Sequence, residues 1–196
     1  MASTARPVAK KQTKNITEYK KLNLNGEFYE IGDAVVLKEY KDDCCYGTIL
    51  KIWKEVKNSD AYAKIRWFYK PSDIFHEHHD FISCAELFDS DYIQDVWIQT
   101  IYDKVRVLPF EEYHNLDEVD DNTFFWRAVY NSRDSSLTPP LSEWKRACVC
   151  NKIFNPDVLY VSCDNCLELF HPECVNADLD APEWICDSCI ACKTEE

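Results

Sequence analysis

The sequence predicts a mainly β protein that ends in a small zinc-stapled module, and three observations carry this prediction. Between residues 24 and 147, many short apolar runs alternate with turn residues, which is typical of an all-β barrel or sandwich. Few long helical patterns interrupt those runs. Between residues 148 and 189, cysteine and histidine recur with the spacing of metal ligands.

The predicted strands are placed by composition and by periodicity. A polar turn precedes the apolar run from Ala34 to Leu37, which predicts a buried strand. Two further β-rich runs extend from Tyr46 to Lys54 and from Ala61 to Tyr69, and the second alternates with period two. The aromatic run from Phe124 to Tyr130 and the turn that follows it are the last strand signal before the cysteines.

The last quarter of the chain has the spacing of a metal-binding module. Its ligands follow the pattern C-x-C-x12-C-x2-C-x4-H-x2-C-x11-C-x2-C, and they are Cys148, Cys150, Cys163, Cys166, His171, Cys174, Cys186 and Cys189. Thiolate and imidazole are the ligands that tetrahedral zinc prefers. Eight ligands make two closed sites for two zinc ions, which indicates structural rather than catalytic metal. Disulfides are the alternative, but we find no signal peptide, and the closely spaced cysteine pairs suit chelation.

Charge is distributed unevenly along the chain. Residues 1–21 contain six basic residues and one acidic residue, whereas the rest contains 16 basic and 34 acidic residues. An acidic body disfavours a general nucleic-acid surface and suits a basic partner, although acidity also serves solubility alone. The basic tail is a candidate for a weak DNA contact. No apolar run approaches the roughly 20 residues of a membrane span, so no membrane partner is expected.

These patterns divide the chain into four segments. We expect a basic disordered tail at residues 1–23, a β domain at 24–147, a zinc finger at 148–192 and a short tail at 193–196. The sequence has no Gly-rich phosphate loop, no Gly-x-Ser-x-Gly motif and no open zinc site. We therefore expect a binding protein and not an enzyme.

The order of the metal ligands resembles that of a PHD finger. Four cysteines, one histidine and three cysteines match that family, and Trp184 lies two residues before Cys186. The resemblance implies interleaved sites, with Cys148, Cys150, His171 and Cys174 on one zinc and Cys163, Cys166, Cys186 and Cys189 on the other. A RING finger, which would make the chain a ubiquitin ligase, is the nearest alternative, and Trp184 favours the PHD finger.

Residues 24–147 resemble a BAH domain, a distorted β-barrel. The matching motifs are Ile31-Gly32-Asp33, Gly47 to Trp53, Arg66 to Pro71, Glu86-Leu87-Phe88, Ser90-Asp91, Val105 to Val107 and Glu111 to Tyr113. With the finger directly behind it, the tandem is similar to plant BAH-PHD chromatin readers. That resemblance implies a nuclear protein that binds methylated histone H3 tails and recruits or anchors a silencing or remodelling complex of other chromatin proteins. The implied marks are trimethylated lysine 27 for the BAH domain and the H3 N-terminus around lysine 4 for the finger.

The resemblance also implies a methyl-lysine cage in the BAH domain. Trp67 and Tyr69 match the family's Trp-x-Tyr pair, and strand alternation places them on one face. Aromatic faces hold a trimethylammonium group by cation–π attraction of about 0.5–2 kcal/mol each. An ungapped count places Cys45 at the third wall, and Tyr46 is adjacent to it. Both aromatic residues of the pair would equally suit a strand core.

The finger departs from the pattern of methyl-lysine readers. Its implied histone-binding residues are Phe154, Tyr160, Leu169, Asp157 and Asp164, and Leu169 stands where such readers usually carry tryptophan. Loss of that ring removes the best cation–π wall. Two other interpretations therefore remain open: a finger that only supports the BAH domain, and a protein-interaction scaffold without methyl selectivity.

Overall fold

The structure is a computed structural model that describes residues 16–38, 44–56 and 60–193. It is mainly β, which confirms the predicted fold class. The strands are β1 (Ile16–Tyr19), β2 (Lys21–Leu24), β3 (Glu27–Glu30), β4 (Ala34–Lys38), β5 (Cys44–Glu55), β6 (Ala61–Phe68), β7 (Asp89–Ser90), β8 (Ile93–Trp97), β9 (Ile101–Pro109), β10 (Thr123–Trp126), β11 (Val129–Asn131), β12 (Ser136–Thr138), β13 (Arg146–Ala147), β14 (Lys152–Ile153), β15 (Val161–Ser162) and β16 (Leu169–Phe170). The helices are α1 (Pro71–Ile74), α2 (Phe110–His114), α3 (Pro172–Val175) and α4 (Asp187–Lys193), with 3-10 turns at Ile98–Thr100 and Leu141–Glu143.

The chain forms two compact units. The first contains the described residues up to Arg66 together with Ile93–Lys104, and the second contains Trp67–Tyr92 and the residues from Val105 onward. No helix within the described ranges is long and apolar enough to cross a membrane.

The first unit is built around β5. This twelve-residue strand pairs antiparallel with β4 near its beginning and with β1 near its end, so that the strand order is β9-β4-β5-β6-β8 with β1 beside the far part of β5. Because β5 is long, β4 and β1 can each pair with a different part of it. The core of the unit comprises Val35, Leu37, Ile49, Ile52, Ala63 and Ile65, all of which are at most 1% exposed.

Strands begin inside the segment that the sequence predicts to be a disordered tail. β1 pairs with β5 from Ile16 opposite Glu55 to Tyr19 opposite Ile52. β2 and β3 form a hairpin whose turn residues, Asn25 and Gly26, both have positive φ, as a two-residue type I′ turn requires. The prediction was wrong for residues 16–23 because backbone pairing with another strand, which side-chain polarity does not report, orders them. Residues 1–15 lie outside the described part of the chain.

The second unit has two aromatic clusters. β11 pairs with β12 antiparallel and with β7 parallel, and Phe88, Ala128 and Trp144 form the cluster behind these strands. β10 pairs in parallel with the second half of β9, and Phe110, Phe125 and Phe154 form the second cluster. Phe154 belongs to the zinc-binding segment, so the unit crosses the expected boundary at residue 147.

Arg127 is the polar centre of that unit. Its Nε and Nη2 donate hydrogen bonds of 2.6 Å to the Glu86 carboxylate, and its Nη1 donates to the Phe154 carbonyl at 2.7 Å. The guanidinium also lies 4.4 Å from the centre of the Trp144 ring. One buried side chain therefore holds part of the β domain and the start of the finger in a common core.

Candidate functional site

The first group of metal ligands lies around the β13–β14 hairpin and the start of α3. Cys148 and Cys150 occupy the hairpin turn, where Cys148 and Asn151 have positive φ. His171 precedes α3, and Cys174 lies within it. The four ligand atoms of Cys148, Cys150, His171 and Cys174 lie within 4.8 Å of one another, with 3.3 Å between Cys150 Sγ and His171 Nδ1.

The second group joins the β15–β16 hairpin to α4. Cys163 and Cys166 lie in the turn between the two strands, while Cys186 directly precedes α4 and Cys189 lies in its first turn. Their sulfurs also lie within 4.8 Å of one another, and those of Cys166 and Cys186 are 3.9 Å apart. A tetrahedral zinc with Zn–S bonds of about 2.3 Å needs sulfurs roughly 3.7 Å apart, so both groups fit the metal.

Two of these thiols are prepared for metal by nearby backbone amides. Burial raises the pKa of Cys148, but hydrogen bonds from the N–H groups of Cys150 and His171, together with those from the His171 and Cys174 side chains, outweigh it and lower the pKa to about 6. Burial likewise raises the pKa of Cys163, and the amides of Cys186 and Cys166 lower it to about 6. Because zinc binds thiolate, hydrogen bonds that stabilise thiolate favour the metal-bound form. The chain therefore has two structural zinc sites, whose ions hold the finger together.

Asp164 and Trp184, which lie next to ligands of the second site, are hydrogen-bonded to each other. The Trp184 backbone N–H donates to Asp164 Oδ2 at 2.7 Å, and the Asp164 N–H donates to the Trp184 carbonyl at 3.0 Å. The Trp184 ring packs edge-on against Phe170 at 5.3 Å. Asp164, which the sequence suggested as a histone contact, thus uses one carboxylate oxygen inside the finger.

The other suggested histone-binding residues of the finger are also engaged within the second unit. Phe154 is 2% exposed and stacks on Tyr160, whose ring in turn lies 4.8 Å from that of His171. Leu169 packs against the cluster that contains Phe154. The Phe154 ring is therefore buried in this cluster, and its position does not favour the predicted histone contact.

Asp157 faces the β domain. Ser83 Oγ donates to its Oδ1 at 2.7 Å, and the Cys84 N–H donates to its Oδ2 at 2.8 Å. Its neighbour Asn155 donates through Nδ2 to the Asp80 carbonyl at 2.7 Å. Both carboxylate oxygens of Asp157 therefore have partners in this unit, and the sequence alone gave no signal for those partners.

Trp67 and Tyr69 lie where β6 ends and enters the second unit. Trp67 is 8% exposed, and its Nε1 has no acceptor among the described residues. Tyr69 is half-buried, and its backbone exchanges two hydrogen bonds of 2.9 Å with Phe88. The structure adds a neighbour that the sequence analysis did not single out: the Tyr130 ring lies 4.8 Å from that of Tyr69, with 59° between their planes.

Cys45 and Tyr46 belong to the first unit. Both lie on β5 and are partly exposed, and they oppose Leu37 and Val36 of β4. Because successive strand residues point to opposite faces, their side chains lie on different sides of the sheet. At most one of the two side chains can therefore line a site on a given face of the sheet.

Fold and site together define a class of protein: a β domain followed by a finger that holds two zinc ions through interleaved ligands. The family model of the BAH domain matches residues 27–140, and that of the PHD-finger matches residues 148–189. The chain is also 30% identical over 189 residues to "Chromatin remodeling protein SHL" of Arabidopsis thaliana, which covers 93% of this chain and 82% of that protein. The chain therefore belongs to the BAH domain family, and its C-terminal module is a PHD finger.

Two further comparisons agree with this assignment. "Chromatin remodeling protein EBS" of Arabidopsis thaliana is 28% identical over 143 residues, which are 71% of this chain and 60% of that protein. The crystal structure of the yeast Rsc2 BAH domain superimposes with a TM-score of 0.55 at 20% identity, covering 62% of this chain and 53% of that one. At this identity the second likeness supports the fold alone.

Proposed function

We propose that this protein is a nuclear chromatin reader that binds methylated histone H3 tails. In this proposal the BAH domain binds trimethylated lysine 27, and the PHD finger contacts the H3 N-terminus around lysine 4. The bound protein then recruits or anchors a silencing or remodelling complex. Its relatives named as chromatin remodeling proteins, one of which matches 93% of the chain, support the general role.

The observation that carries the BAH part of the proposal is the pair Trp67 and Tyr69. The two residues have the i, i+2 spacing that puts both rings on one strand face. The backbone of Tyr69 is fixed by its bonds to Phe88, and its ring packs against Tyr130, so less ordering is needed when a ligand binds.

Charge supports a basic ligand. The chain has 35 acidic and 22 basic residues, and the segment from 148 to 189 has eight acidic residues against a single lysine. Such a surface attracts a strongly basic tail and repels nucleic acid. The candidate DNA contact of the basic N-terminal segment involves residues outside the described part of the chain.

For the finger we propose a smaller contact set than the sequence suggested. Tyr160, Leu169, Asp157 and Asp164 stay in it, because each keeps some exposed surface. Phe154 leaves it because its ring is buried, and the bonds of Asp157 to Ser83 and Cys84 are internal contacts as well. These internal contacts also favour a second candidate role, in which the finger supports the BAH domain and binds no histone itself.

Calorimetric titration with H3 peptides tests the proposal. Trp67→Ala should abolish the preference for trimethylated over unmodified lysine 27. Tyr69→Ala should weaken methyl-dependent binding by at least about 1 kcal/mol, the scale of one cation–π wall. Thermal unfolding must show that both variants remain folded, since Trp67 is largely buried.

Matched variants in the first unit separate the two candidates for the third wall. Tyr46→Ala should weaken methyl-dependent binding if Tyr46 is the wall, whereas Cys45→Tyr should strengthen it if Cys45 occupies that place. A folded Trp67→Ala protein that retains its methyl preference would exclude this cage. Wild-type protein that binds modified and unmodified tails equally would favour the scaffold without methyl selectivity.

A further inference from the structure

Tyr69 and Tyr130 form an aromatic corner that is held by backbone pairing. Their ring centres are 4.8 Å apart and their planes meet at 59°. Tyr69 is fixed opposite Phe88, and Tyr130 is paired with Ser90 on one side and Leu137 on the other. Both rings pack at the edge of the cluster of Phe88, Ala128 and Trp144, so the corner has a rigid support.

The turn that contains Asp91 lies beside this corner. Ser90 Oγ donates to the Trp67 carbonyl at 2.6 Å, and the Trp67 N–H donates to the Tyr92 carbonyl at 3.0 Å. Ser90 is also the strand partner of Tyr130. The residues on either side of Asp91 are therefore bonded to the backbone of Trp67, and one of them is paired with Tyr130.

The carboxylate of Asp91 is fixed by Ser132. The N–H and Oγ of Ser132 both donate to Asp91 Oδ1, each at 3.0 Å. Asp91 Oδ2 faces Arg133 Nε at 3.9 Å, but the Arg133 side chain is 89% exposed, and such a pair contributes little. A carboxylate offers about four acceptor positions, so Oδ2 retains capacity for a charged donor from a ligand.

The electrostatics agree with an anionic residue near the corner. The hydrogen bonds from Ser132 lower the pKa of Asp91, which is therefore ionised at neutral pH. Burial raises the pKa of Tyr69, and the neighbouring Tyr130, Tyr92 and Asp91 raise it further. The negative charge of Asp91 thus acts on the Tyr69 side chain.

We propose that Tyr130 is a wall of the methyl-lysine site and that Asp91, at its rim, binds a positively charged side chain next to the methylated lysine. This inference rests on the proposed histone-binding function and adds the ligand's chemistry: a methylated lysine flanked by arginine. A trimethylammonium group has no N–H to donate, so it suits the tyrosine faces. A guanidinium has five donors and suits the Asp91 carboxylate.

A purely structural role is the competing explanation for Tyr130, because its ring packs against the Phe88 cluster. The two roles differ in their consequences. Loss of a wall lowers affinity for the methylated peptide and leaves the weak binding of the unmodified peptide unchanged. Loss of packing lowers the melting temperature and weakens both peptides alike.

The test uses the full chain and four H3 peptides around lysine 27, either trimethylated or unmodified, with arginine or alanine immediately before that lysine. The proteins are wild type, Tyr130→Ala, Asp91→Asn and the charge-matched control Asp117→Asn, whose side chain is exposed. Titration gives each dissociation constant, and thermal unfolding checks each fold.

Tyr130→Ala should weaken binding of the trimethylated peptide about fivefold or more, the size of one cation–π contact. Asp91→Asn should weaken binding of the arginine peptide about tenfold and hardly affect the alanine peptide, with the methyl preference unchanged. If Asp91→Asn weakens binding of the arginine and alanine peptides equally, or by no more than Asp117→Asn does, the role of Asp91 is overturned. Equal losses for trimethylated and unmodified peptides would overturn that of Tyr130. If wild type has no methyl preference, the proposed function fails as well.

Discussion

Among single residues, Arg127 has the most consequential environment in the second unit. Its side chain is 7% exposed and that of Glu86 is fully buried. Burial raises the pKa of Glu86, and the Arg127 guanidinium opposes that rise. Arg127 also donates to the carbonyls of Phe154 and Phe81. An ion pair of this kind adds little over an apolar pair, but either partner left alone is a buried, uncompensated charge.

We predict that Arg127→Leu lowers the free energy of unfolding by about 3–5 kcal/mol, because the buried Glu86 carboxylate then loses the guanidinium that compensates its charge. Chemical denaturation measures this loss. Arg133→Leu is the matched control, since the Arg133 side chain is 89% exposed and its change should cost little. The double variant Glu86→Leu with Arg127→Leu should recover part of the stability. An Arg127→Leu protein as stable as the control would contradict the role assigned to this pair.

At the scale of elements, β5 and β6 approach so closely that one position excludes a side chain. A Cβ at Gly47 would collide with Ile65 Cγ2 and would lie 2.9 Å from the Arg66 carbonyl oxygen. Gly47 lies within β5, and its φ is not positive. The requirement for glycine here therefore comes from packing between strands and not from backbone conformation.

We predict that Gly47→Ala destabilises the protein by about 1–3 kcal/mol, the usual cost of overpacking a core. Lys54→Ala on the same strand serves as the control, because the Lys54 side chain is exposed. Urea unfolding of the two variants gives the comparison. If Gly47→Ala is no less stable than Lys54→Ala, the strands are free to separate and the packing argument fails.

At the scale of the whole molecule, a series of packed rings connects the first group of zinc ligands with part of the BAH domain. His171, a ligand of the first site, packs on Tyr160, which stacks on Phe154, which packs on Phe110 of α2. The finger itself is too short to hold a large core, so metal ligation supplies much of its folding free energy. Loss of zinc should therefore reach residues outside the finger.

We predict that a chelator or Cys163→Ser unfolds residues 148–189, and that chelation, which also removes the first ion, exposes the Cys84 amide, which donates to Asp157. Hydrogen exchange followed by mass spectrometry should show lost protection in both places, while β4 and β5 of the first unit stay protected. Metal analysis of the untreated protein should find two zinc ions per chain. A single ion, or unchanged protection at residues 80–84 after chelation, would contradict this prediction.

The sequence by itself determined the features that depend on short spacing. Cysteine pairs separated by one or two residues, with a histidine between them, define two zinc sites because nearby ligands chelate one ion. The β class follows from alternating and β-branched runs, and the proximity of Trp67 and Tyr69 follows from strand geometry. The sequence did not predict β1, because the strand that pairs with it, β5, is distant in the chain.

The tertiary structure alone decided which distant segments share a core. It placed Tyr130 against Tyr69, and it brought Glu86 to Arg127. It also directed Phe154 and Asp157, which the resemblance to PHD fingers had suggested as histone contacts, into packing and hydrogen bonds with the β domain. The physical reason is that an aromatic ring or a carboxylate has the same local signature whether it binds a ligand or the protein. Only the packing of the folded chain determines whether its surface is already covered.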